Sequence, residues 1–258
     1  MDRNPYKRSL SGEIRRVPDL SPDEREEMLS LLAHYFENVS RTTFERDLSE
    51  KEWCILLTDG SGRIKGFSTM MLMRVEGLPV AAVYSGDTII AREHWGESLL
   101  SKLWSRHAFA LADMVRREEP GTRVYWFLVS SGYKTYRFLS TFFREFHPMH
   151  DRPAPPEARR VMDVLARARF PEEYDPERGV VRPMEAAPLR HGVAEITGRR
   201  LSDPHVAFFA AANPGHARGE ELVCLTELVP GNLTPAGRRM LGDGADTMRD
   251  RGKSEGGT

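Results

Sequence analysis

The 258-residue chain has little cysteine, no excess of either charge and no long apolar run, and each shortage excludes something. Its two cysteines, Cys54 and Cys224, stand in apolar strand-like runs. They cannot supply a multi-disulfide framework, and no Cys/His spacing matches a zinc site, so two buried reduced thiols and no metal are expected. The 37 Lys and Arg nearly cancel the 38 Asp and Glu, leaving a net charge of -1. Bulk charge therefore directs the chain neither to nucleic acid nor to an anionic membrane. No apolar run is long enough to span a bilayer, so no membrane partner is expected. Met1-Asp2-Arg3-Asn4-Pro5 lacks the apolar core of a secretory signal, and the expected compartment is the cytoplasm. There is no internal repeat. What remains is an ordinary composition, 40% hydrophobic and 29% charged, at a length that suits one large domain or one domain with a substantial insertion.

The local patterns alternate between strand and helix. Glu13 to Val17 reads as a short strand. Ser21-Pro22-Asp23-Glu24 starts a helix: Ser as N-cap, Pro at the first helical position, Glu closing a capping box. Met28, Leu31, Leu32, Tyr35 and Phe36 follow at helical spacing. A second short helix covers Thr43 to Ser49. Trp53–Thr58 and Ile64–Val75 read as strands joined by the Asp59-Gly60-Ser61-Gly62 turn. Glu76-Gly77 turns the chain into a fourth strand, Val80–Ile90. A long amphipathic helix runs from Leu99 through Val115 and stops at Pro120-Gly121. Val124–Val129 is a fifth strand, apolar on both faces. Tyr133 to Phe143 is helical, and Phe146-His147-Pro148 begins a further strand or turn. After His150, Pro153, Pro155 and Pro156 mark a bend. A helix near Glu157–Arg169 follows, then loops to about Gly219 interrupted by a helix at Asp203–Ala212. Glu221–Thr226 returns as a strand, and Thr234-Pro235 caps a last helical turn or two.

This order of elements resembles that of the GNAT (GCN5-related N-acetyltransferase-like) acyltransferase superfamily, over roughly Glu13 to Phe146 with Glu221–Leu228 as the last strand. The resemblance implies an α/β (α+β) fold: a mixed, mostly antiparallel central sheet flanked by helices, with a large insertion before the last strand. The expected organisation is a flexible start (1–12), a core (13–149), an insertion (150–219), the last strand and short helix (220–241) and a disordered tail (242–258).

The most specific stretch is Asp87 to Leu100. It looks like the family's fourth strand, its turn and the phosphate-binding start of the long helix, written Arg/Gln-x-x-Gly-x-Gly/Ala in the family. Backbone N–H groups at a helix start point at a pyrophosphate, and small residues let the backbone come close. Here Trp95 stands at the Arg/Gln position, Ser98 at the first Gly and Leu100 at the final small residue, with Gly96 between. The resemblance implies acyl-CoA or acetyl-CoA as donor, held by Ile89, Ile90, Trp95, Gly96, Glu97, Ser98 and Ser130. Because the loop departs from the pattern, a carrier protein or an aminoacyl-tRNA stays open as donor. Arg116, Arg117, Arg159, Arg160, Arg167 and Arg169 would be the basic surface for such a partner, or simply solvated helix faces.

The chemistry implied is attack of a small-molecule amine on a thioester, as in a bacterial-type acyltransferase. It requires a base, a donor to the developing oxyanion and an acid for the thiolate. The family's fourth and fifth strands splay to admit the donor, so the residues at the splay are the candidates. Asp87 is the candidate base, beside Gly86, which stands where many members carry a catalytic Glu. The alternative is a hydrogen-bonded structural Asp at a bulge. Ser85 and Tyr136 are further catalytic candidates, Tyr136 as the acid. Tyr84 and Tyr133 are candidate substrate contacts. Ser130 and Ser131 could touch ligand or cap the next helix. His147, His150, Asp151 and Arg152 form a polar cluster, read as a His–Asp base or as a loop network. Met71 and Met73 share a strand face and line either a pocket or the core. Two rival readings remain: an aminoacyl-tRNA-dependent transferase or other specialised biosynthetic enzyme, and a non-catalytic binding module.

Overall fold

The computed structural model describes residues 10–242 except 76. The expected flexible start and disordered tail lie outside these residues, apart from 10–12 and 242. Glu76 of the expected turn also lies outside them.

Local chemistry places the first elements. β1 (Ser11–Arg16) leads into α1 (Pro22–Ala33), where the capping box forms as read: Ser21 accepts from the Glu24 N–H and Glu24 accepts from the Ser21 N–H. α2 (Arg41–Ser49) is capped by Ser40. β2 (Trp53–Thr58) and β3 (Ile64–Arg74) form the expected hairpin. In its turn Asp59 Oδ1 takes the Ser61 N–H at 2.8 Å, and Gly62 adopts a φ of 80° that suits glycine. β4 (Val80–Ile90), α3 (Leu99–Glu118), β5 (Arg123–Ser130) and α4 (Tyr133–Phe142) follow.

Beyond them α5 (Pro156–Arg169) leads into β6 (Tyr174–Asp175) and β7 (Val180–Val181), a small hairpin that no periodicity foretells because two residues show no period. α6 (Pro204–Ala212), β8 (Glu221–Glu227) and α7 (Pro235–Leu241) complete the order.

The strands make one eight-stranded sheet in the order β1-β2-β3-β4-β5-β8-β7-β6. Every pairing is antiparallel except β4 with β5, which α3 connects. The fold is thus the mixed, mostly antiparallel sheet flanked by helices that the sequence implied. The stretch at Phe146 contributes a single bridge, His147 to Leu225, on the far edge of β8 from β5.

Two faces of the sheet have different cores. On one, Leu100, Trp104, Ala108 and Val115 of α3 and Tyr136 and Leu139 of α4 meet Val83, Trp126 and Leu128. On the other, α1 and α2 cover Cys54, Leu56, Phe67 and Ile89, while Val161 and Leu165 of α5 cover Met73, Tyr84 and Phe127. Met71 and Met73 belong to this second packing, as core. Cys54 and Cys224 are buried free thiols, and burial pushes Cys54 up to about 12. No helix among the described residues is long and apolar enough to cross a membrane.

Candidate active site at the parting of two strands

β4 and β5 pair from Val80 with Arg123 to Ser85 with Leu128, and there the pairing stops, although each strand runs on. At the same level β4 carries a bulge: Ser85 faces Met70 of β3, and the next pair is Thr88 with Ser68. Gly86 and Asp87 stand opposite the single residue Thr69, an extra length of one residue. A bulge re-aims side chains and ends pairing, and here it leaves a gap between two central strands.

On the α3 face the gap is bounded by aromatic packing. Ser85 Oγ accepts from Trp104 Nε1 at 2.9 Å and from Trp126 Nε1 at 3.0 Å. The two indoles lie 4.3 Å apart, and Phe138 packs edge-on to both. Both acceptor positions of Ser85 are therefore used to satisfy buried donors, which corrects its expected catalytic role.

The opposite face, at the seam between α2 and α5, is charged. Lys51, just after α2, has a fully buried side chain; its Nζ donates to Asp47 Oδ1 at 2.6 Å and to the Asp47 carbonyl at 3.0 Å. Arg169, at the end of α5, pairs with Asp47 Oδ1 at 2.8 Å and Glu50 Oε2 at 2.7 Å. The ring of Tyr84 lies beneath both cations, 5.4 Å from each. Glu221, at the start of β8, accepts from Ser131 Oγ at 2.5 Å. Asp87 reaches the same place and makes no hydrogen bond or ion pair among the described residues. Burial first, and then Asp47 and Glu221, push its carboxyl up to about 7, with Lys51 opposing them. Burial, and then Asp47 and Glu173, lift Glu221 to about 7 against the Ser131 hydrogen bond. Burial lowers the Lys51 ammonium below its ordinary range. Asp87 is half-buried, so its carboxyl keeps a side open to solvent while no protein group among the described residues bonds it.

The helix-start side of the gap gathers cations. Gly96 takes a φ of 94° before α3, and Ser98 makes no side-chain cap to it. Trp95 is 38% exposed, its Nε1 tied to the Ile90 carbonyl at 2.9 Å. Lys134 Nζ lies 3.8 Å above its ring, with the Arg92 guanidinium 5.5 Å away. Arg200 covers Tyr133 at 5.3 Å. None of Arg92, Lys134 and Arg200 has an ion-pair partner among the described residues. Burial and then Arg200 and Arg92 lower the Lys134 ammonium. Glu97 is engaged by His94 Nδ1 at 2.9 Å.

Residues 186–196 cross the mouth of the gap. The strap is held to the first helical layer by Glu37 N to the Pro188 carbonyl, Arg190 N to the Tyr35 carbonyl, and a bridge of Phe36 with Leu189. At the other end Lys134 Nζ donates to the Val193 carbonyl at 2.6 Å, and a Cβ at Gly132 would stand 3.0 Å from Leu189 Cδ1 and 3.3 Å from Ala194 Cβ.

Other expected residues fall elsewhere. Tyr136 is fully buried among Phe146, Phe208 and Phe209 and donates to the Pro148 carbonyl at 2.9 Å, with burial raising its hydroxyl far above the usual range. It cannot serve the gap as an acid. Tyr133 is buried beneath Arg200, and Tyr84 faces the charged seam as packing. Ser130 Oγ donates to the Gly132 carbonyl at 2.9 Å and caps no helix. Ile89 is buried under α1 and α2, while Ile90 flanks the other core. His150 meets His205, ring to ring at 4.2 Å, and forms no ion pair with Asp151. The six arginines do not form one surface: Arg116 and Arg117 lie on α3, the other four on α5 across the sheet. Arg169 is half-buried in ion pairs, and Arg116 is paired with Asp113. No group of three metal-ligating side chains occurs among the described residues.

Four residues of the seam were not singled out for it: Asp47, Lys51, Glu221 and Arg169, the last read only as surface. The one visible signal was the acid–base spacing of Asp47 and Lys51, four apart at a helix end.

No protein-family model matches the sequence, and no curated protein matches it. Among solved structures the chain is similar to a GNAT-family N-acetyltransferase of Escherichia coli in complex with CoA, at 20% identity and a TM-score of 0.38, over 57% of this chain and 77% of that one. It is similar to an acetyltransferase of Trypanosoma brucei at 17% identity and 0.37, over 57% and 100%. A third is an aminoglycoside acetyltransferase from an uncultured soil metagenomic sample, in complex with sisomicin, at 14% identity and 0.36, over 50% and 82%. Overlap of this extent concerns the course of the backbone and says nothing of activity.

Proposed function

We propose that the chain is a divergent GNAT-fold acyltransferase that moves an acyl group from a thioester, in the first instance an acyl-CoA, to an amine of a small molecule. The observation that carries this reading is the gap between β4 and β5 with Asp87 in it, a carboxyl without hydrogen bonds, pushed up to about 7. A base with that affinity accepts a proton near neutral pH. In the reaction the amine nitrogen attacks the thioester carbonyl carbon, and Asp87 takes a proton from it. The C–S bond then breaks to give the amide and a thiolate. A thiol loses its proton near pH 8.5, so the thiolate leaves and is reprotonated by way of water.

The donor's phosphates would be held by Arg92, Lys134 and Arg200 around Trp95, with the N–H groups of Gly96 and Ser98 just before α3. These cations supply what the altered turn lacks. The acceptor amine would approach from the charged seam.

One observation favours the third reading, a binding module. The strap lies across the gap, and a donor must lift it or pass beneath it. Thermal unfolding with acetyl-CoA and with longer acyl-CoA separates the two. A ligand at a hundredfold excess over its Kd stabilises the fold by about 2.7 kcal/mol. A rise in Tm with any acyl-CoA supports the donor site. No rise with any of them, and no turnover with amine mixtures, overturns it.

A further inference from the structure

We propose that Lys51 is the positioning residue of this site: its side chain fills the place that a side chain at Gly86 would take, and from there its ammonium sets the charge on Asp87. The inference rests on the acyl-transfer reading only for its effect on rate.

The geometry is specific. A Cβ at position 86 would stand 2.6 Å from Lys51 Cε, 3.4 Å from its Nζ and 2.5 Å from Thr69 Oγ1. What a side chain at 86 would meet is crowding by movable side-chain ends, since the φ of Gly86 is not left-handed. Thr69 Oγ1 is buried there with no partner of its own. The lysine enters from outside the sheet, held by the Asp47 carboxylate and carbonyl, with its charge over the Tyr84 ring. A fully buried ammonium is costly unless its surroundings hold it. Here two of its donors are used on Asp47 and the next residue along from Gly86 is Asp87.

The groups that face Asp87 act in opposite directions. Asp47 of α2 and Glu221 of β8 raise its proton affinity, and Lys51 lowers it. Arg169 of α5 is paired with Asp47 and Glu50, which keeps part of the Asp47 charge occupied. Tyr84 stays neutral beneath them. Lys51 is thus the near cation that offsets two neighbouring carboxyls, and its side chain occupies the space beside Gly86.

The test is the titration of the Asp87 carboxyl followed by carbon-13 NMR of aspartate-labelled protein, with Asp87→Asn identifying the signal. Lys51→Met preserves the length of the buried chain and removes its charge; the midpoint should rise by about one pH unit. Asp47→Asn should move it the opposite way. Opposite shifts cannot come from a loss of packing, which would act in one sense. If Lys51→Met fails to fold, Gly86→Ala keeps the cation but crowds it away from position 86, and the midpoint should again rise. An unmoved midpoint in these variants, or equal shifts in Lys51→Met and Asp47→Asn, overturns the assignment. The acid limb of kcat/KM should follow the carboxyl, so a one-unit rise costs about fivefold at pH 7 and is restored above pH 8. Should the midpoints move as expected while no acyl-CoA and amine pair turns over, Lys51 keeps its role and the acyl-transfer reading fails.

Discussion

Ser85 and Asp87 stand two residues apart on one strand, and the two faces of the sheet treat them in opposite ways. On the α3 face Ser85 is a packing device: two buried indole N–H groups converge on its oxygen and are satisfied. On the α2 and α5 face Asp87 is half-buried beside charged groups, and no protein group among the described residues bonds it. The bulge at Gly86 separates the regimes. A polar atom in a dry aromatic setting completes the core; a polar atom beside an incomplete balance of charge is available for chemistry. Residue type does not distinguish the two, but partners do.

The largest effect that could break this contrast is at Asp87. Asp87→Asn should lower turnover about 10²–10⁴-fold, the usual worth of a positioned base. It should not lower Tm, because no hydrogen bond is lost. In the wild type kcat/KM should rise with pH through about 7, as Asp87 loses its proton, and that limb should vanish in the variant. Steady-state kinetics across pH 5.5 to 8.5 checks both. Wild-type rates in Asp87→Asn would put Asp87 in the same class as Ser85.

Ser85→Ala tests the other face. It removes the acceptor of two buried N–H groups, and leaving such donors unpaired costs about 2 kcal/mol. Urea unfolding should show that loss, with turnover per folded molecule unchanged. A variant as stable as the wild type, but slow, would return Ser85 to the chemistry.

The contrast also explains which parts could be read in the sequence. The elements before His150 follow from capping chemistry, turn residues and hydrophobic period, and these are local. Ser21 with Glu24, the Asp59 turn and the bounds of β4 needed only neighbours in the chain. The bulge was legible for the same reason: an acid beside a glycine in an apolar strand. The partners of Asp87 were not. Asp47 and Lys51 come from α2, Arg169 from α5 and Glu221 from β8, and only packing brings them together. Arg169 looked like a solvated helix arginine because its counterions lie more than 100 residues away. Tyr136 was misplaced for the same reason: a tyrosine near a strand end resembles an acid until four aromatic rings and a carbonyl are found around it. The strap over the gap has almost no regular structure, so no period announced it.

The last effect expected is on stability, and its sign distinguishes an unpaired carboxyl from one held in an ion pair. Glu221 is raised to about 7 in the folded chain, above its ordinary value in an unfolded one. Below pH 4 both states hold the proton and nothing is at stake. Between pH 4 and 7 the unfolded chain gives up its proton first, so the folded state binds more protons and stability falls as pH rises. Above 7 Glu221 is ionised in both states and the full penalty is present. Glu221→Gln keeps an acceptor for Ser131 and removes the charge. It should therefore raise Tm at pH 8 and leave it unchanged at pH 4, as followed by circular dichroism. A carboxylate held by a favourable ion pair would do the reverse, losing stability at pH 8 when replaced, and that outcome would class the seam with ordinary salt-bridge networks.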